Sequence, residues 1–187
     1  MCEILGLMIR HATVIDPDIL KYGIVPGFMD SLKDKSEKVR RKAMAALGEL
    51  LFYGATQVDE KVNEWDLSMN LIHSLLKILK NQGEDEIVRI YCCKSIENIT
   101  AQAKEVGLKF SQIDTLMVLI TSFNTSKNES FRTSICCCLH HVMQLNMTLR
   151  EIFIDKIGIN NLVETFKYSE TSSKTIQILL WILLVQC

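Results

Sequence analysis

Three segments of the sequence align without gaps and share one apolar pattern: KVRRKAMAALGELL (38–51), IVRIYCCKSIENIT (87–100) and SFRTSICCCLHHVM (130–143). A fourth segment, SSKTIQILLWILLV (172–185), follows the pattern less closely. Apolar residues recur in each segment at offsets of about 3, 4 and 7, the spacing of one helix face. Equivalent positions lie 49, 43 and 42 residues apart: Val39, Val88, Phe131 and Ser173. The sequence is therefore predicted to be a helical repeat.

Each of these long segments follows a shorter apolar one: 24–32, 70–79, 112–123 and 159–166. Short polar linkers join the two segments of a pair, and they hold suitable helix starts at Ser36 and at 84–86, where side-chain oxygens or negative charge suit free backbone N–H groups. A period of about 42–49 residues with two main helices per unit is typical of armadillo and HEAT repeats. The predicted fold class is all-α, an armadillo/HEAT-type superhelix, or solenoid.

The repeat divides the chain into an expected series of units: a remnant helix of a preceding repeat at 1–14, repeats at 15–56, 57–105 and 106–146, and a truncated or terminal repeat at 147–187. Terminal repeats of a solenoid normally carry a polar outer face. The final stretch, IQILLWILLVQC, is apolar on all sides. We therefore expect the sequence to be a fragment of a longer array.

Composition narrows the classes of partner. The 187 residues carry a formal net charge of −1, and a basic run at 33–42 is followed by an acidic one at 59–66, which argues against nucleic acid. The longest apolar stretch, 176–185, is far shorter than the roughly 20 residues of a membrane span, so no membrane partner is expected. The chain has seven cysteines, an odd number, of which five lie in adjacent runs and none forms a CxxC pair. This pattern indicates reduced thiols and a cytoplasmic protein.

A family resemblance rests on three stretches taken together and in order: GELLFYGATQ (48–57), KSIENI (94–99) and DKIGINNLV (155–163). They resemble the C-terminal armadillo/HEAT-like region of the unc-51-like kinase 4 family, Fused-related pseudokinases with a plant relative called Runkel. The resemblance implies a large cytoplasmic protein in which a kinase-like domain precedes a helical solenoid, with links to microtubules and cilia. The present sequence has no Gly-rich phosphate loop and no Val-Ala-Ile-Lys, His-Arg-Asp or Asp-Phe-Gly motif. No nucleotide-binding residue is therefore carried over, and the chain itself is expected not to be an enzyme.

A peptide-binding groove is the expected functional site. Armadillo grooves hold extended peptides along the long helix of each unit, where an Asn amide can clamp the ligand backbone. Of the four aligned positions only Asn98 carries that residue, and the accompanying Trp of nuclear-import receptors is missing from all units. A groove that binds nuclear-localisation signals is therefore not expected, whereas a groove with another peptide specificity is compatible with the sequence. The candidate residues of the concave face are Arg40, Glu49, Arg89, Lys94, Asn98, Arg132 and His141.

A Cys/His cluster offers a second candidate site. Cys136 and His140 are four residues apart, as are Cys137 and His141, so each pair lies on one helix face at a spacing that zinc ligands use. Against a metal site, Cys138 takes the mostly small position of the repeat, which favours cysteine as a packing residue. Catalysis by a Cys–His pair is disfavoured, because residues along one helix face rarely bring a third orienting group or a cleft. No metal and no cofactor are expected.

These observations favour a non-catalytic scaffold for protein–protein interaction, whose partners are proteins or extended peptides. By resemblance, such partners are microtubule- or cilium-associated, and the location is the cytoplasm, at the cytoskeleton or cilium. Two alternatives remain: a structural spacer that docks on the kinase-like domain of its parent protein, and a metal-binding protein built on the Cys/His cluster.

Overall fold

The computed structural model describes residues 2–12, 19, 23–56 and 67–157 of the chain. Helices make up almost all regular structure in this part, which contains no strand. They are α1 (Cys2–His11), α2 (Ile24–Ser31), α3 (Glu37–Thr56), α4 (Met69–Lys80), α5 (Glu86–Gln102), α6 (Lys104–Gly107), a 3₁₀ turn (Leu108–Phe110), α7 (Ile113–Thr125), α8 (Glu129–Leu145) and α9 (Met147–Ile157).

Polar side chains set where several helices begin. Asp85 precedes α5 and its carboxylate accepts a hydrogen bond from the backbone N–H of Val88 at 3.2 Å. Ser68 and Asn128 cap α4 and α8 in the same way. Each cap satisfies a backbone N–H group that has no partner inside its helix. The predicted starts of α3 at Glu37 and of α5 at Glu86 are confirmed.

The helices form two layers. The long helices α3, α5 and α8 pack side by side in chain order, and α1 precedes them against α3. The shorter helices α2, α4 and α7 each pack on the long helix that follows them, while α4 also packs on α7. Helix α9 contacts both α7 and α8 and so extends the shorter-helix layer. This arrangement confirms the predicted all-α helical-repeat solenoid.

Residues at equivalent positions of the long helices fill the core between the layers. Leu47 and Ile96 are fully buried, as are Leu50 and Ile99 one turn later. Each such side chain contributes about 1.5–3 kcal/mol of hydrophobic stabilisation. The aligned position that Ala46, Ser95 and Cys138 occupy is equally buried. At Gly48 of α3 an added Cβ would lie 2.8 Å from the Ser95 hydroxyl oxygen. Small residues therefore let α3 and α5 approach closely.

Some features differ from the sequence prediction or lie beyond the described residues. The short α6, the 3₁₀ turn and α9 were not predicted as separate elements. The predicted segments 159–166 and 172–185 lie outside the described residues, and the repeat boundaries stay a prediction. In the described part no single helix is long and apolar enough to cross a membrane. The pair Lys104–Phe110 and Ile113–Thr125, bent by 71°, meets those criteria by length and composition only.

Candidate partner-binding surface

The seven predicted groove residues lie on two different sides of the long helices. Arg89 and Arg132, for example, point towards the shorter helices, whereas Asn98 and His141 lie on the opposite side. Within each long helix the two positions are nine residues apart, which at about 100° per residue is two and a half turns. The structure therefore does not bring all seven residues together on one face, and their role in binding a partner stays a prediction. Their alignment between repeats holds, but the two sets occupy opposite helix faces.

One set forms part of a band of exposed and half-buried residues across three helices, which we call the open face. Its members are Glu49 and Phe52 of α3, Tyr91, Lys94 and Asn98 of α5, and Cys137 and His141 of α8. Phe52 and Tyr91 are each 40% exposed, unusually accessible for large aromatic side chains. Tyr91, Lys94 and Asn98 follow one another at helical spacing, so they form a continuous stripe along α5.

Ion pairs organise one end of the open face. Arg10 of α1 donates from Nε to Oε1 of Glu49 at 2.9 Å, and a second contact joins its Nη2 to the same oxygen. The hydrogen bond to Glu49 raises the pKa of Arg10. Lys42 of α3 forms a second ion pair with α1, through the carboxylate of Glu3. Lys94, by contrast, is exposed and forms no ion pair within 4 Å in the described part of the chain. Its ammonium group is therefore available to an incoming acidic group.

The other set of predicted residues makes contacts within the molecule, both inside a repeat and between neighbouring repeats. Arg40 pairs with Glu84 at 2.8 Å, and the side chains of both are largely buried. Arg89 is 6% exposed and donates to the Leu79 carbonyl oxygen at 3.1 and 3.2 Å. The guanidinium of Arg132 lies 4.3 Å from the ring centroid of Phe123, a cation–π distance. Burial and these contacts place Arg40, Arg89 and Arg132 between helices, away from the open face.

The basic run at 33–42 is mostly neutralised within the molecule. Arg41 donates to both carboxylate oxygens of Asp85 at 2.7 and 2.6 Å, next to the Arg40–Glu84 pair. Lys33 pairs with Asp30, and Lys42 has the partner described above. Only Lys35 and Lys38 of this run form no ion pair in the described part of the chain. The run is therefore a weak candidate for binding an acidic protein tail.

The Cys/His cluster has the chemistry of packing residues. Burial raises the pKa of Cys136 above its ordinary value, and it raises the pKa of Cys137 to about 11. Such thiols stay protonated at neutral pH, whereas nucleophiles and metal ligands are thiolates. His140 and His141 meet edge to face with ring centroids 5.3 Å apart, and burial lowers the pKa of both. Among the described residues, no three His, Cys, Asp or Glu side chains are arranged to hold a metal.

A carboxylate completes the contact between α5 and α8. Cys137 hydrogen-bonds to Glu97, whose pKa is raised by burial although that hydrogen bond and Lys94 oppose the shift. The interaction with Cys138 of α8, together with burial, raises the pKa of Cys93 on α5. The cysteines thus act as compact polar contacts between two long helices.

Sequence reasoning missed the two aromatic residues of the open face. Tyr91 lies seven residues before Asn98, which is nearly two helical turns, so the helix spacing alone places both on one side. Phe52 lies three residues after Glu49 on α3 and is a neighbour by the same rule. Extending the aligned positions by one turn in each direction would have found both residues.

Comparison with known proteins agrees with this architecture. Residues 24–54 match the family model of the HEAT repeat. The chain is 33% identical over 181 residues to the serine/threonine-protein kinase RUNKEL of Arabidopsis thaliana, and the match covers 89% of this chain. It spans only 13% of the length of that kinase. No solved structure matches the chain. The expected similarity to a plant Fused-related kinase is therefore confirmed.

HEAT repeats are protein-interaction modules that stack into extended binding surfaces. A protein kinase domain, in contrast, carries its nucleotide-binding Lys on a strand. The described residues are helical without a strand, so they contain no such site. The coarse function supported by the fold is a helical-repeat scaffold for protein–protein interaction.

Proposed function

We propose that this chain is the helical-repeat part of an unc-51-like kinase 4 type protein and serves it as a non-catalytic scaffold for protein partners. The observation that carries the proposal is the open face. It presents two exposed aromatic residues and an unpaired Lys on a rigid two-layer support. Aromatic residues at the centre of an interface supply much of the binding energy. Polar neighbours then orient the partner.

The chemistry of the open face suits an extended segment of a protein. The side-chain amide of Asn98 can donate to and accept from a peptide backbone, which is the role expected of this position in an armadillo-type groove. Lys94 offers a positive charge one turn away, and Tyr91 adds apolar area with a polar tip. Because the face is pre-formed, a partner orders little protein on binding, and several modest contacts suffice.

The proposal extends to the kind of partner and the place of action. By family resemblance, we propose partners associated with microtubules or cilia and a cytoplasmic location at those structures. Support for this part comes from the similarity to a Fused-related kinase. The open face itself favours a protein partner of any kind with an acidic or amide-rich extended segment.

A capture experiment with matched variants tests the scaffold role. The purified chain, the open-face variant Lys94→Glu/Asn98→Ala and the control Lys127→Glu/Asn124→Ala are immobilised and exposed to extract of ciliated cells. The control makes the same two changes at exposed positions away from the open face. We expect a set of proteins, including microtubule- or cilium-associated ones, on the wild type and the control but not on the open-face variant. Equal capture by all three chains would contradict the proposal.

A second role is a spacer that docks on the kinase-like domain of the parent protein. The observation that favours it is the match to 13% of a much longer kinase, which leaves room for contacts within one polypeptide. Mixing this chain with the separately purified kinase-like domain distinguishes the two roles. Binding that depends on Lys94 and Asn98 would support the spacer role, whereas no binding would favour external partners.

A further inference from the structure

A groove runs between two helices of the shorter-helix layer, on the side of the molecule away from the open face. Helix α4 forms one wall and α7 the other, and the groove has a volume of about 500 Å³. Leu76 and Val118 are half-buried in the walls, and Met117 is 39% exposed. The groove therefore offers an accessible apolar side chain next to partly covered ones.

A buried cation contributes to the lining of this groove. Arg89 is 94% buried, and its contacts are the Leu79 carbonyl oxygen, the Ser122 hydroxyl at 3.4 Å and the ring of Phe131 at 5.0 Å. In the described part of the chain no carboxylate lies within 4 Å of its guanidinium. Burial lowers its pKa from the ordinary value, although the charge of Glu86 opposes that shift. The carbonyl end of α4 stabilises the charge in part, since cations are favourable at helix C-termini.

Further positive charge surrounds the groove. Lys77 and Lys80 of α4 line it, and neither forms an ion pair within 4 Å in the described part of the chain. Asp114 is the one carboxylate among the described lining residues, so the lining carries a net charge of about +2 at neutral pH. An anionic partner would gain from this potential, and its contacts with a buried cation would be strengthened by the low local dielectric.

We propose that the α4–α7 groove binds an acidic segment of a partner protein, with Asp or Glu side chains against Lys77, Lys80 and Arg89 and an apolar side chain against Met117. This inference rests on the proposed scaffold role and adds a second surface to it. The apolar contact sets the proposal apart from a site for a small inorganic anion, which would need only the positive charges. The net positive lining sets it apart from a site for a basic or neutral peptide.

Selection from a displayed library of random 12-residue peptides tests the proposal on the full chain. Selected peptides are then measured against the wild type, the groove variant Lys77→Glu/Lys80→Glu and the control Lys104→Glu/Lys127→Glu. The control makes the same change in net charge at exposed lysines outside the groove. A third variant, Met117→Ser, removes the apolar contact without burying a new polar group. Circular dichroism verifies that each variant keeps its helical content.

We expect a class of peptides that binds the wild type and the control but loses about tenfold or more in affinity for the groove variant, a difference of about 1.4 kcal/mol. These peptides should carry several Asp or Glu and an apolar residue. They should bind more weakly to Met117→Ser and lose affinity as salt rises. The open-face variant Lys94→Glu/Asn98→Ala should still bind them, so that failure of this proposal is distinct from failure of the scaffold role.

Three results would overturn the proposal. The first is that no selected peptide depends on Lys77 and Lys80. The second is that the peptides that do depend on them are neutral or basic. The third is complete displacement of the peptides by millimolar inorganic phosphate at constant ionic strength, which would identify a site for small anions.

Discussion

Asp85 connects two repeats, and its replacement gives the sharpest test of how the solenoid is held together. Its carboxylate caps α5 by accepting from the Val88 N–H, and it also accepts two hydrogen bonds from Arg41 of α3. The hydrogen bonds from Arg41 lower the pKa of Asp85, so the charged form predominates at neutral pH. Asp85→Ala removes both functions. Asp85→Asn keeps an oxygen for the cap and removes the negative charge.

The expected cost follows from the two functions. Loss of an N-cap side chain destabilises a protein by about 0.5–2 kcal/mol. Loss of the pair adds less than a fully buried ion pair would, since the Arg41 side chain is 37% exposed and can return to water. We therefore expect Asp85→Ala to lower the free energy of unfolding by about 2 kcal/mol. Asp85→Asn should cost less than half as much, because the cap survives.

Urea denaturation followed by circular dichroism measures this difference. The free energy of unfolding of a small protein falls by about 2 kcal/mol per M urea. Asp85→Ala should therefore lower the urea midpoint by about 1 M. Asp30→Ala is the matched control, because among the described residues Asp30 pairs with Lys33 alone and both side chains are more than 70% exposed. The midpoint of the control should stay at the wild-type value. An unchanged midpoint for Asp85→Ala, or equal losses for the alanine and asparagine variants, would refute the reasoning.

Three further predictions concern the packing of the long helices. Gly48→Ala gains about 1 kcal/mol of helix propensity, but the added Cβ would lie 2.8 Å from the Ser95 hydroxyl oxygen, so overpacking should cancel most of that gain. Gly48→Ala should therefore stabilise the Ser95→Ala variant more than the wild type in thermal denaturation, and equal effects would contradict the close approach of α3 and α5. Burial lowers the pKa of His140 and His141, so their contribution to stability is present above the ordinary His pKa near 6.5 and is lost as pH falls through the lower folded value. The wild type should therefore lose more stability between pH 7 and 5 than His140→Gln/His141→Gln, as measured by urea midpoints; parallel curves would contradict this. Cys137 is half-buried and its pKa is raised to about 11, so iodoacetamide at pH 7.5 should alkylate it far more slowly than a free cysteine in solution; modification as fast as that of free cysteine, measured by mass spectrometry, would contradict its assigned environment.

The fold could be predicted from the sequence because each repeat shows a regular spacing of apolar residues over short stretches of the chain. Offsets of apolar residues identified α3, α5 and α8. The hydroxyl of Ser36 and the acidic run at 84–86 identified two helix starts. The 3₁₀ turn at Leu108–Phe110 and the helix α9 were missed. Neither has a counterpart among the aligned segments, and short helices depend on the surrounding packing more than on their own sequence.

The candidate site could be predicted only in part. Alignment of the repeats found the positions of Lys94, Asn98 and Arg89, but alignment does not say which side of a helix faces a neighbour. The burial of Arg89 depends on α7, which the chain reaches more than 20 residues later. The α4–α7 groove was not predicted for the same reason. It forms only when helices of successive repeats pack together.

Site-specific photo-crosslinking tests the central claim, that the open face carries the partner, most directly. A photoreactive amino acid is placed at Tyr91 of the open face or at Lys104, an exposed control position on α6, and each chain is irradiated with a captured partner. A covalent partner adduct is expected from position 91, and little or none from position 104. Equal adducts from both positions, or none from position 91 with a partner that binds, would contradict it.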